Sequence, residues 1–264
     1  DGGITLADIA DLTITTEIGG TGGGNIAVNI PIAGTAGDGD DATDVTMTAG
    51  SGTISVEDIT TDINDVQLTS TGGISLDGTI TTATDSDETG NESGVVTLTG
   101  PVTLAGNTTI DTDSTSNNGA VTLTSTVDGG NTLTITSGSG AVQFGGNVGA
   151  TTAISDLTVN STGGTGAITF SGNVGASATS AGAAVVTIGN AATASITFAG
   201  VEFTTSGLQL FTADAYSITG ADSTFGSSND NITFADGGAD GGITLADIAD
   251  LTITTEIGGT GGGN

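Results

Sequence analysis

An apolar–polar–apolar triplet closed by a small-residue corner recurs along the chain: ITLAD at 4–8, ISVED at 54–58, ISLDG at 74–78, VTLAG at 102–106, VQFGG at 142–146, ITFSG at 168–172, ITFAG at 196–200 and ITLAD at 243–247. Period-2 alternation specifies a strand that buries one face. The fifth residue is always Gly or Asp, as expected where a backbone bends through positive φ. Where the markers can be followed cleanly they are spaced 20, 26, 28 and 28 residues apart. Strands of a sandwich would not share one corner template, so the spacing predicts an all-β, parallel β-solenoid. Helices are disfavoured throughout, because the chain is dense in Gly, Thr, Ser, Val and Ile and lacks the Ala, Leu, Lys and Glu runs that helices use.

A second strand class, V-x-L/M/I, starts at Leu12, Val45, Val66, Val96, Val121, Leu157 and Val186. The runs TITT at 79–82 and TTIDT at 108–112 suit a third side. Alternation places Ile4, Leu6, Ile54, Val56, Ile74, Leu76, Val102, Leu104, Phe144, Ile168, Phe170, Ile196 and Phe198 inside. It places Thr5, Ser55, Ser75, Thr103, Gln143, Thr169 and Thr197 outside. Phe144, Phe170 and Phe198 take the template's third position, the place of Leu6, Val56, Leu76 and Leu104, and are expected to stack as one aromatic column. Asn107, Asn147 and Asn173 each follow the corner and are expected to stack as a hydrogen-bonded ladder.

On a larger scale the first 25 residues return unchanged as the last 25, from Asp240 to Asn264, a period of 239 residues. A window cut from a tandem array has this form. Residues 1–239 then make one solenoid unit of about nine turns, and 240–264 begin the next. Separate subunits docking end to end through the duplicated strands are the alternative origin.

Thirty acidic residues and no Lys, Arg or His give a net charge of −30. Direct binding to nucleic acid is excluded, because phosphate recognition runs on Lys and Arg, and so is attraction to anionic membranes. No run approaches 18 apolar residues, so no helix would insert in a membrane. The absence of cysteine forbids disulfides and thiolate metal sites.

With no basic side chain and no Ser–His partnership, the composition points away from an enzyme. Oxygen ligands for a hard cation are more plentiful. GDGDDATD at 37–44 offers Asp38, Asp40, Asp41 and Asp44, and TDSDETGNE at 84–92 offers Asp85, Asp87 and Glu88. GSSNDNITF at 226–234 loosely follows the calcium-binding nonapeptide pattern, with Asp230 in the acid position. Calcium is the expected ion. Thr-x-Thr triplets at 13–15, 46–48, 97–99, 122–124 and 134–136 point outward, as good strand residues do. They also suit an ice-binding or glycan-binding face. Residues 129–201 contain one acid, Asp156, and make a candidate for lateral self-association.

The repeats, the acid-rich Gly/Thr composition and the segment ITFSGNVGASATSAGAAVVTIGN at 168–190 resemble the right-handed β-solenoid regions of giant bacterial surface proteins, including filamentous-haemagglutinin-like adhesins, a likeness that implies a right-handed coil. The resemblance implies an extracellular or cell-surface location and a structural role as stalk or fibre, with neighbouring repeats as end-to-end partners.

Overall fold

The computed structural model describes residues 2–7, 10–17, 22–35, 43–82, 94–114, 118–175, 181–200, 202–228, 230–238, 241–246 and 250–255. Among these the regular elements are all strands, every strand pairing is parallel, and the chain winds as a three-sided β-solenoid. The first side is a ten-stranded sheet running from Leu12–Thr15 to Ile243–Leu245. The second and third sides form one sixteen-stranded sheet. They are joined because Ile74–Thr81 and Val102–Asp111 each run round the corner between them as one strand.

Each side carries an inward apolar column. On the first side it is Leu12, Val45, Val66, Val96, Val121, Val142, Ile168, Ile196, Tyr216 and Ile243. On the second it is Ile26, Ile54, Ile74, Val102, Val127, Val148, Val174, Phe203, Phe225 and Ile253. On the third it is Ile4, Ile32, Ile59, Ile80, Ile110, Ile135, Val159, Ile188, Phe211 and Phe234. Each column advances through nine steps, in line with the turn count the spacing predicts. These columns are the core, and most of their members are under 3% exposed.

The inward set predicted from alternation is buried apart from half-buried Ile4, and the outward set is exposed or half-exposed throughout. The three phenylalanines do stack: Phe144 and Phe170 at 4.7 Å with planes 1° apart, Phe170 and Phe198 at 5.8 Å and 9°. Their column continues Leu123, Leu98, Leu68 and Met47 rather than Leu104, Leu76 and Val56.

The two strand classes therefore do not keep to separate sides. The template lies on the second side at Ile54–Val56, Ile74 and Val102 but on the first at Val142–Phe144, Ile168–Phe170 and Ile243–Leu245. Leu157 and Val186 have moved likewise to the third side. Any side of such a coil buries alternate residues, so an apolar–polar–apolar triplet fits all three.

The corner glycines also differ from expectation. Of the described corner residues only Gly78 has positive φ, at 114°. Gly146, Gly172, Gly200 and Gly220 are glycine because successive turns touch there: a Cβ on each would overlap the backbone of Ser125, Gly146, Gly172 and Gly200 respectively. Asn147 and Asn173 form a ladder, but through the main chain: Asn147 Oδ1 accepts Asn173 N–H at 2.9 Å, and Asn173 Oδ1 accepts Glu202 N–H at 3.2 Å. Asn107 is outside it. It sits at the corner before the third side and accepts Thr132 N–H at 3.1 Å.

Uneven rung lengths arise mainly at the corner from the third side to the first. There buried hydroxyls staple the base of three consecutive excursions: Thr82 Oγ1 donates to Gly94 O, Thr112 Oγ1 to Gly119 O at 2.7 Å and Ser137 Oγ to Gly140 O at 2.7 Å. One staple closes segments of different length, so the columns stay in register while the loops vary.

Candidate functional site

Of the eight acids expected to hold calcium, Asp38, Asp40, Asp41, Asp85, Asp87 and Glu88 lie outside the described residues. Asp44 and Asp230 are described: Asp230 bonds within its own turn and Asp44 bonds the next one. Asp230 N–H donates to Ser227 Oγ at 3.3 Å, Ser227 Oγ donates back to Asp230 O, and Asp230 Oδ1 accepts Asn231 N–H at 2.8 Å. Asp44 Oδ1 accepts Asp65 N–H and Asn64 Nδ2–H, both at 3.1 Å. Among the described residues no three acids converge on a common point.

Asp44 belongs to a ladder that the sequence reading did not anticipate. Asp11 Oδ1 accepts Asp44 N–H at 3.1 Å, Asp44 Oδ1 accepts Asp65 N–H, and Asp65 Oδ1 accepts Val95 N–H at 2.7 Å. Each carboxylate caps the amide that opens the first-side strand of the next turn. Each such bond gives the carboxylate a main-chain donor on the neighbouring turn. The signal was present as D-L-T-I at 11–14, D-V-T-M at 44–47 and D-V-Q-L at 65–68. Asp58 does the same at another corner, accepting Thr79 N–H at 2.8 Å, and Asp128 Oδ1 accepts Thr151 and Thr152 N–H at 2.8 and 3.0 Å.

Beside the ladder lies the outward face of the first side. One row runs Thr13, Thr46, Gln67, Thr97, Thr122, Gln143, Thr169, Thr197, Ser217 and Thr244. A second row holds Thr15, Thr48, Thr69 and Thr99. Thr124 extends it, its N–H bonded to Leu98 O at 3.0 Å. Beyond that the row passes to Gly145, Ser171 and Ala199, whose N–H groups bond Leu123, Phe144 and Phe170 O. The Thr134–Thr136 triplet is on the third side, where Thr79, Thr109, Thr134, Thr158 and Thr187 align.

Two titratable groups meet the core. Glu202 Oε2 is buried without a hydrogen-bond partner, and desolvation raises the carboxyl pKa above its ordinary value. It stands by Phe170, Phe198, Phe203 and Phe225, in a gap with no room for water. Burial likewise raises the Tyr216 phenol, whose OH donates across the interior to Phe211 O at 3.0 Å or to Ala235 O. The charge of Asp236, which lines one gap with Tyr216 and Asp214, raises the phenol further.

The most exposed large apolar residues are Ile30, Ile243, Leu245 and Ile253 at 42, 45, 41 and 49%. Three of the four lie on the last described turn, at the open upper end of the first-side and second-side columns. At the opposite end, on the first described turn, Ile4, Leu12 and Ile14 are half-buried.

No protein-family model matches the chain, no curated protein is significantly similar to it, and no solved structure matches it.

Proposed function

We propose that the chain is a structural segment of an extracellular or cell-surface fibre, in which solenoid repeats stack end to end as a stalk. The observation that carries this reading is the pair of open ends: three apolar columns in register through the molecule, with Ile243, Leu245 and Ile253 left at 41–49% exposure. A turn cannot cover its own upper surface, so each end needs another turn, as in other solenoids. The resemblance to adhesin solenoids supports the location. The fibre performs no catalysis, in keeping with a chain that lacks Lys, Arg and His. Sedimentation velocity on the purified chain tests the reading. Concentration-dependent growth is expected, and a Leu245→Asp, Ile253→Asp double variant should remain monomeric. A parent chain that is monomeric at every concentration would contradict it.

A second reading gives the first side an ice-binding or glycan-binding face. Its support is the doubled row of outward Thr over the first five rungs, broken only by Gln67. Thermal hysteresis and glycan-array measurements separate it from a passive stalk. Activity lost on Thr97→Asp would favour the face, and its absence in the parent chain would leave the stalk alone.

A further inference from the structure

The duplicated segment occupies two different places in the coil. In its first copy Ile4–Thr5 pairs on the third side with Ile32–Ala33, and Leu12–Thr15 lies on the first side against Val45–Thr48. In its second copy Ile243–Leu245 lies on the first side over Tyr216–Ile218, and Leu251–Thr254 lies on the second side over Ser223–Gly226. The sequences are identical, so local preference does not choose the side.

Path length does. From Ile4 the third-side column reaches Phe234 after nine complete circuits, and the next strand, Ile243–Leu245, falls one side further on. Only six residues separate Asp236 from Ile243, whereas successive third-side levels are 21 to 30 residues apart. The second copy therefore cannot travel round to the third side before its first strand must form. The 239-residue unit makes nine circuits and one side, which is not a whole number of turns.

We propose that successive repeats of the array are set one side round from each other, so that each residue of the unit reappears a third of the way around the coil in the next repeat and regains its original side in the fourth. This rests on the reading of the chain as stacked repeats. At ~4.8 Å between strands, one repeat advances the fibre by about 45 Å and three by about 135 Å. No side of the fibre then keeps one chemistry along its length. The Asp11–Asp44–Asp65 ladder and the doubled Thr rows spiral from side to side. The same holds for the acid-poor stretch 129–201, so two straight fibres lying together through it would meet in register once every third repeat. A partner that fits this surface recognises a patch within one repeat, or follows the spiral.

The chain has no cysteine, so paired thiols report the side directly. In the proposed arrangement Thr244 lies beside Ser217 and Thr252 beside Thr224. In an in-phase arrangement Ile243 would follow Phe234 in the third-side column, so Thr244 would lie beside Ala235 and Thr252 beside Ser217. Four double variants, S217C/T244C, T224C/T252C, A235C/T244C and S217C/T252C, are oxidised or treated with a short bifunctional thiol reagent, and the intramolecular link is read by mass. All sites are exposed or half-exposed, and neighbouring strands lie within disulfide reach. The first two pairs should link nearly completely and the last two only at background. Linking of the in-phase pairs, equal linking of both sets, or linking of none overturns the proposal. The two supporting pairs sit on different sides, so a folding defect in one leaves the other as the test. The links form within a single chain, so they read the rotation whether or not chains assemble into fibres, and a monomeric chain that links as expected would fail only the fibre reading.

Discussion

Asp44 illustrates how a chain of net charge −30 accommodates carboxylates on adjacent turns. Two unit charges about 5 Å apart repel by roughly 0.8 kcal/mol even in water. Here each carboxylate accepts the next turn's amide, a favourable bond set against that repulsion. Asp44→Ala removes the acceptor for Asp65 N–H and Asn64 Nδ2 and should cost about 1–2 kcal/mol. Asp44→Asn keeps an acceptor oxygen and should lie within about 0.5 kcal/mol of the parent. Urea midpoints of the two variants check this, and equal losses would assign Asp44 a purely electrostatic role. Glu202 works in the opposite direction. Its raised pKa means that the folded protein binds a proton the unfolded chain releases. The group therefore costs stability above its folded pKa, and the cost disappears below its unfolded value. Glu202→Gln should raise the melting temperature at neutral pH, with the gain shrinking as pH falls through the carboxylate range. A gain independent of pH would remove desolvation as its cause.

At the scale of elements, what holds a rung is the contact its corner and column make with the turn beneath. Gly172→Ala would press a methyl into the backbone of Gly146 and Asn147 and should cost about 1–3 kcal/mol. Gly130→Ala meets nothing within 4 Å and should be near neutral, so similar midpoints for the two would contradict the close-approach account. Phe170, stacked between Phe144 and Phe198, should lose about 3–5 kcal/mol on replacement by Ala, again read from unfolding midpoints. These elements also mark how far the sequence could be read. Strand alternation, inward and outward sets and the aromatic column were legible, because period 2 and stacking are local rules. The side on which a strand lies was not, because ITF at 168–170 and ISV at 54–56 satisfy the same rule on different sides. That choice is set by corner lengths summed along the chain. The carboxylate ladder is written in the sequence as an Asp before three first-side apolar triplets, but an acid there suits cation ligation and amide capping alike, and only the stacking of the turns decides between them.

For the whole molecule, register is the property from which the rest follows. Ten levels at ~4.8 Å make a short prism whose two ends expose the apolar columns and unpaired strand edges, while the sides are polar, and acidic outside the stretch 129–201. Divalent cations are the remaining means of offsetting charge. If calcium sits among Asp38, Asp40, Asp41 and Asp44, among Asp85, Asp87 and Glu88, or at Asp230, chelation should lower the melting temperature markedly, because the ions bind only the folded array. Monovalent salt that fully restores the chelated protein would reduce the effect to screening and remove the specific sites. The central claim, that this is a self-continuing fibre segment, is tested most directly by electron microscopy of the purified chain. The account predicts rods of uniform width many times longer than the roughly 48 Å of one chain, ended or shortened by Leu245→Asp with Ile253→Asp. Compact particles of 25.0 kDa at all concentrations, indifferent to those substitutions, would contradict it.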